Sequence, residues 1–321
     1  MKIVILDAYE EPAELDWSGL QEFGEVRLCT GVPQNDAAVI AETIGDAEVL
    51  VPNKVTIDPA VMDACSALKF IAVTSTGYNQ VDVDYARKKG IAVANVPSYS
   101  TDAVAQFTFA LLLEICSRVG SYNKAVHEGA WENGWESHFW DCPLTELAGK
   151  TIGIIGFGNI GQQVGRIAKT MGMNVLAYNH SQCDVGREIA EYVDLDTLLA
   201  QADVVSLHIP LFPETEQIIN RDTVAKMKKG VILLNTSRGG LVEEQAVADA
   251  LASGHISAVG VDVVSTEPIK GDNPLLHAPN CIITPHVAWA TQACRQRVVD
   301  CTVKNIRGYA NGELVNIVNG L

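Results

Sequence analysis

Lys150 to Asn179 reads KTIGIIGFGNIGQQVGRIAKTMGMNVLAYN, and this stretch decides the fold. Residues 151–155 are a short apolar, β-branched run, which reads as a buried strand. The run ends in Gly156-Phe157-Gly158-Asn159-Ile160-Gly161. Residues 160–171 then read as a helix with Val164, Ile167, Ala168 and Met171 on one face, and 174–178 as a second strand. This is a βαβ unit with its glycines at the first turn. Gly156 makes the tight turn, Gly158 lets the backbone approach a pyrophosphate, and Gly161 lets helix and strand pack closely. The helix start adds free N–H groups and a positive dipole end. Strand, glycine turn, helix and next strand fall in register, the context that a dinucleotide site needs.

Outward from this unit the alternation continues in both directions. Residues 2–8, 25–29, 47–52, 69–75 and 91–96 read as strands, with helical stretches at 36–44 and 59–64 between them. After the glycine unit, 202–210, 230–236, 258–264 and 281–284 read as strands, with helices at 196–200, 220–227 and 243–253. The pattern predicts an α/β protein of two doubly wound parallel sheets, a Rossmann-type nucleotide-binding domain and a flavodoxin-like substrate domain, with a cleft between them. Val96-Pro97-Ser98 marks a boundary, because proline disfavours helix at the residue before it. Ser100 or Thr101 then caps a helix over 102–118, whose apolar middle suits burial between two domains. A last helix over 291–306 follows the completed second sheet and can cross back to the first. The expected domains are therefore 1–98 with 291–321, and 99–290.

Composition narrows the function. The chain has 321 residues and a net charge of −16, which argues against a nucleic-acid or anionic-membrane partner. An anionic substrate would need a local cationic anchor. No apolar run is long enough to span a bilayer, and residues 1–8 read as a strand rather than a signal peptide. The eight cysteines form no CxxC pair, so reduced, buried thiols, no structural metal and a cytoplasmic location are expected. Trp131, Trp135 and Trp140 lie close together with Phe139, and either fold back on their own core or anchor an interface.

Three polar residues stand just beyond strand ends of the second sheet: Arg238 after GVILLNTS, Glu267 after AVGVDVV and His286 after CIITP. A guanidinium can clamp a carboxylate and polarise the adjacent carbonyl. An imidazole can donate a proton near neutral pH, and a carboxylate behind it fixes its tautomer. Three unrelated surface residues are the bland alternative, which their shared position at strand ends disfavours. His208 ends a strand and could touch the cofactor. In the first half, Thr74-Ser75-Thr76-Gly77 offers small hydroxyls and N–H groups, as a carboxylate cradle or simply as a polar turn.

These residues carry a resemblance. Gly156–Gly161, LHIPLFPET (207–215), LLNTSRGGLVEE (233–244), GVDVVSTEP (260–268) and TPHVAWAT (284–291) resemble, in order, the motifs of the D-isomer-specific 2-hydroxyacid dehydrogenases. The similarity covers essentially the whole chain. VPSYSTDAVAQFTFALLLE (96–114) and CRQR (294–297) are most similar to the glycerate dehydrogenases, also called hydroxypyruvate reductases, within that family. The resemblance implies that Arg238 binds substrate carboxylate and carbonyl, that His286 is the acid/base, and that Glu267 pairs with it. It implies that the Ser75-Thr76-Gly77 backbone meets the substrate carboxylate with Asn53 nearby. For the cofactor it points to Gly158, Asn159, Ile160, His208, Pro210, Thr215, Thr236, Arg238 and Asp262, to which the reading of the site adds Gly156, Gly161 and His286, and it implies a homodimer with the tryptophan-rich loop as an arm.

Many members of the family carry aspartate where Asn179 stands here, in the run Tyr178-Asn179-His180-Ser181. Asn179, His180 and Ser181 are then the ribose-side cofactor contacts, with NAD(H) favoured and NADP(H) possible. The expected reaction converts a small 2-oxo acid to a D-2-hydroxy acid, first of all hydroxypyruvate to D-glycerate. The rivals are glyoxylate, pyruvate or phosphohydroxypyruvate as substrate, or a nucleotide-sensing, corepressor-like interaction protein. The phosphorylated substrate is the less expected because a sequence running to Leu321 leaves no room for the regulatory domain that many phosphoglycerate dehydrogenases carry, and the corepressor because a long disordered tail is expected of one.

Overall fold

The computed structural model describes residues 1–7, 15–132, 134 and 144–321. The chain divides into two compact units, Met1–Tyr99 with Ala290–Leu321, and Ser100–Trp289.

The first unit is a parallel sheet of β1 (Lys2–Asp7), β2 (Glu25–Cys29), β3 (Val49–Asn53), β4 (Phe70–Ala72) and β5 (Ala92–Ala94), in the order β2-β1-β3-β4-β5. Strand alternation sends Val4, Leu6, Leu50 and Ile71 to one core and Ile3, Ile5, Val51 and Phe70 to the other. Helices α1 (Ala37–Ile44), α2 (Pro59–Ala64) and α3 (Val83–Lys88) each start on an aspartate, because Asp36, Asp58 and Asp82 accept a bond from the first-turn N–H groups of Val39, Val61 and Tyr85. The last helix, Gln292–Asn311, covers the second core, with Tyr309 stacked on Phe70 at 4.7 Å between ring centres. The final residues run along β5: Asn95 N–H donates to the Asn316 carbonyl and Val318 N–H to the Val93 carbonyl.

The second unit opens with α4 (Thr101–Ser117) and α5 (Val119–His127). Then come β6 (Thr151–Ile155), α6 (Asn159–Thr170), β7 (Asn174–Tyr178), α7 (Asp184–Ile189), β8 (Glu191–Tyr192), α8 (Leu195–Gln201) and β9 (Val204–Leu207). Next are α9 (Arg221–Lys226), β10 (Val231–Asn235), α10 (Glu244–Ser253), β11 (Ile256–Val261) and β12 (Cys281–Ile283), which makes the long last helix α11. The seven parallel strands lie in the order β12-β11-β10-β9-β6-β7-β8. The order reverses between β6 and β9, the switch point where such sheets bind ligands. Helix α4 is not a free-standing connector: Ala105, Phe109 and Leu112 pack with Ile152, Ile154 and Val164 in the core of this same unit. Trp131 is exposed, while Trp135, Phe139 and Trp140 lie outside the described residues. Among the described residues, no single helix is long and apolar enough to cross a membrane.

Candidate active site at the switch point of the seven-stranded sheet

The glycine turn has the geometry that its sequence implies. Gly156 takes φ +94°, and a Cβ there would lie 2.5 Å from the His208 carbonyl. A Cβ on Gly161 would lie 2.1 Å from the Gly156 carbonyl oxygen, so this glycine lets α6 sit against the turn. Gly158 is different: a Cβ there would meet no atom within 4 Å. Packing inside the protein does not require that glycine, whereas close approach of a ligand does. The first main-chain donor to bond within α6 is Gln162, to the Gly158 carbonyl, so the positive end of the helix dipole lies at this turn. Next to this turn, burial pushes the His208 imidazole down to about 3 and keeps it neutral. Its Nε2 lies 2.8 Å from the Ser206 hydroxyl, and its Nδ1 is buried without a partner among the described residues. A glycine with open space before it and an orphaned ring nitrogen fit a bound dinucleotide.

Asn179 stands at the end of β7, as expected, but its carboxamide is already engaged. Its Oδ1 accepts from the Phe157 N–H of the glycine turn at 3.1 Å, and its Nδ2 donates to the Ser181 carbonyl at 2.6 Å. His180 and Ser181 are exposed beside it. Thr215 likewise closes a turn, donating to the Pro210 carbonyl and accepting from Phe212 N–H, each at 2.8 Å. The Thr236 hydroxyl lies 3.0 Å from that of Thr108 on α4.

His286 and Glu267 meet directly. His286 Nδ1 lies 2.7 Å from Glu267 Oε2, with each side chain about one-third exposed. His286 takes φ +57°, a conformation that non-glycine residues rarely adopt. A buried carboxylate holds that turn. Asp262 accepts from the Thr284 hydroxyl (2.5 Å) and from the N–H groups of Val287 (3.0 Å) and Ala288 (2.8 Å), while its own carbonyl accepts from His286 N–H (2.8 Å). Trp289 Nε1 donates to the His286 carbonyl at 3.0 Å. Arg238 is exposed on the neighbouring turn, its Nη1 on the Ser237 carbonyl at 2.7 Å. Two residues without an assigned role in the sequence reading shape that turn. Asn235 bonds Ser237 N–H and the Arg238 carbonyl through its carboxamide. Gly239 lies so close to the end of β11 that a Cβ would be 1.9 Å from the Val264 carbonyl carbon.

In the first unit, the hydroxyls of the turn after β4 are engaged by main-chain carbonyls. Ser75 donates to the Gly77 carbonyl at 2.6 Å and Thr76 to the Val96 carbonyl at 2.9 Å. What this turn offers a carboxylate is therefore its main chain, not its hydroxyl protons. Asn53 ends β3 of the same sheet.

The family model for the NAD-binding domain of D-isomer specific 2-hydroxyacid dehydrogenases matches residues 109–288, the unit just described. The chain belongs to the D-isomer-specific 2-hydroxyacid dehydrogenases. This dehydrogenase is therefore an oxidoreductase that interconverts 2-oxo and 2-hydroxy acids, and its seven-stranded unit is an NAD-binding domain. A hydroxypyruvate reductase of Blautia hydrogenotrophica is 52% identical over 321 residues, 99% of this chain and 100% of that protein. A glycerate dehydrogenase of Methylorubrum extorquens is 38% identical, covering 87% of this chain and 88% of its own. A D-lactate dehydrogenase from Aquifex aeolicus, solved with NAD and lactic acid, superposes with a TM-score of 0.85 at 30% identity, over 99% of each chain. The five motifs quoted for the dehydrogenase family start at or near the ends of β6, β9, β10, β11 and β12, whereas CRQR lies within α11. The Asn235 and Gly239 roles were hidden because they depend on what lies across the turn.

Proposed function

We propose that this dehydrogenase reduces hydroxypyruvate to D-glycerate, with NADH favoured and NADPH tolerated. The observation that carries the reading is the 2.7 Å His286–Glu267 pair at the strand ends of a nucleotide-binding sheet. The hydroxypyruvate reductase 52% identical over the full length supports the substrate. With Nδ1 on Glu267, the other ring nitrogen of His286 holds the proton that the developing alkoxide takes. Arg238 orients the substrate through its carboxylate and polarises the carbonyl. The 75–77 main chain, with Asn53, receives a carboxylate in the first unit. Gly156, Gly158, Asn159, Ile160 and Gly161 hold the pyrophosphate, and His208, Pro210, Thr215, Thr236 and Asp262 supply further cofactor contacts. Reduced nicotinamide, when bound, supplies the hydride.

Asn179 supports the cofactor choice. It is uncharged, so nothing at this position repels a 2′-phosphate, and the exposed His180 and Ser181 can donate to one. Neither is the arginine that usually secures one. The protein is further proposed to act as a homodimer, supported by exposed apolar side chains of α5.

The test is a panel of 2-oxo acids with NADH and NADPH assayed separately. Hydroxypyruvate should give the highest kcat/KM, with glyoxylate slower for want of the hydroxymethyl group. Pyruvate or a branched 2-oxo acid ahead by about tenfold, roughly 1.4 kcal/mol in barrier, would overturn the substrate. Rejection of NADPH by about a thousandfold would overturn the cofactor reading.

A further inference from the structure

The loop that carries Glu267 begins at Ser265 and runs to Asn273. Both ends are bound by one side chain outside the loop, Glu244, at the start of α10. Its Oε1 accepts from Ser265 N–H at 2.8 Å. Its Oε2 accepts from the Ser265 hydroxyl at 2.7 Å and from Asn273 Nδ2 at 3.0 Å. Asn273 is buried, and its Oδ1 accepts from Leu275 N–H at 3.0 Å, so that end of the loop is anchored. Between these ends, all seven residues, 266–272, are exposed. Gly239 packs on the Val264–Ser265 backbone, just before α10, so the Arg238 turn and the Glu267 loop meet at the residues that Glu244 binds.

We propose that Glu244 is a positioning residue: its carboxylate closes the 265–273 loop and so holds Glu267 against His286. A carboxylate with three donors is a strong, directional fixture, whereas an exposed segment of seven residues alone would sample many conformers. The proposal rests on the reading of His286 as the acid and Glu267 as its partner. The carboxylates that touch the His286 turn among the described residues are Glu267, on the ring, and Asp262, under the backbone; Arg238 stands on the neighbouring turn. Loss of Glu244 leaves the Asp262 bonds in place and acts on Glu267 alone.

The test compares the full-length wild type with E244A, E267Q and the E244A/E267Q double variant. Proton NMR of the free protein reads the Nδ1–H of His286, assigned by its loss in His286→Gln. The wild type should show a downfield, slowly exchanging signal, and E244A should lose it as E267Q does. In turnover, E244A should lower kcat by about tenfold or more, shift the alkaline limb of 2-oxo acid reduction to lower pH, and leave the Kd for NADH within about twofold. In the double variant E244A should add nothing to E267Q, because both remove one interaction. S265A takes away one of the three donors and should move the signal and the limb the same way by less, which keeps the test open if E244A does not fold. An intact His286 signal in folded E244A or S265A, or effects that multiply in the double variant, would overturn the clamp. A wild type inert toward every 2-oxo acid would overturn only the activity reading, since the NMR comparison still decides the clamp.

Discussion

At the scale of single residues, His286 is held in a backbone conformation that it would not choose, and Asp262 supplies the hydrogen bonds that keep it there. The imidazole therefore meets Glu267 by construction rather than by chance. His286→Ala should lower kcat by roughly 10²–10⁴, with NADH affinity little changed in a fluorescence titration. Near-normal turnover would remove it from the mechanism. His208 makes a separate prediction. Its folded value is about 3, whereas an unfolded histidine titrates near 6.5. Between those values the unfolded chain binds the extra proton, so stability is lost as pH falls below about 6.5. By pH 5 the loss is about 2 kcal/mol at most, from the histidine alone. His208→Phe should thus show a flatter melting temperature between pH 7 and 5 than the wild type; parallel curves would show that His208 titrates freely. The placement of Arg238, Glu267 and His286 beyond the ends of β10, β11 and β12 was legible in the sequence because each follows an apolar run by a few residues. The bonds of Asp262 and Asn235 were not, because they depend on which turns end up side by side.

At the scale of elements, the strands and long helices followed from apolar runs, and most bounds moved by only one to three residues. Pro59–Ala64 and Asn174–Tyr178 fell where periodicity put them. Helices α3, α5 and α7 and the two-residue β8 went unread. Helix α3 buries only Ala86, α7 only Gly186 and Ile189, and α5 no side chain, so none carries a clear apolar stripe. The C-terminal tail was also invisible as an element, since it makes only a single bridge, Ala94 to Ile317. Its value lies in covering β5. Asn319 is buried, accepts from Val93 N–H at 3.1 Å and donates to the Ile91 carbonyl at 2.8 Å. Without that side chain, two main-chain groups of the β5 segment lose their partners, at about 1–3 kcal/mol each. Asn319→Ala should lower the denaturant midpoint accordingly while the second unit still binds NADH. An unchanged midpoint would mean that solvent replaces these bonds without cost.

At the scale of the whole molecule, the return of α11 to the first unit follows from its apolar face, which completes a core that β4 begins. A chain with charge −16 reads as one that must concentrate positive charge where an anion binds, and Arg238 is the residue proposed to supply it. Assembly is less legible, since it depends on surfaces rather than runs. Helix α5 has no buried residue, and it presents Val119 at 64% and Val126 at 40% exposure, with Trp131 at 57% following it. Apolar side chains clustered on one exposed element are the mark of a covered face. The proposed dimer should therefore sediment at micromolar concentration as two chains of 34.5 kDa. Val119→Glu with Val126→Glu should dissociate it, because in a two-fold dimer each substitution occurs twice. Even at about 1 kcal/mol per buried charge the four changes sum to about 4 kcal/mol, roughly a thousandfold in the dissociation constant. NADH binding by the separated chains should persist, since the glycine turn lies on other elements of the unit. A monomeric wild type at micromolar concentration would remove the dimer, and a double variant that still sediments as two chains would place its interface away from α5.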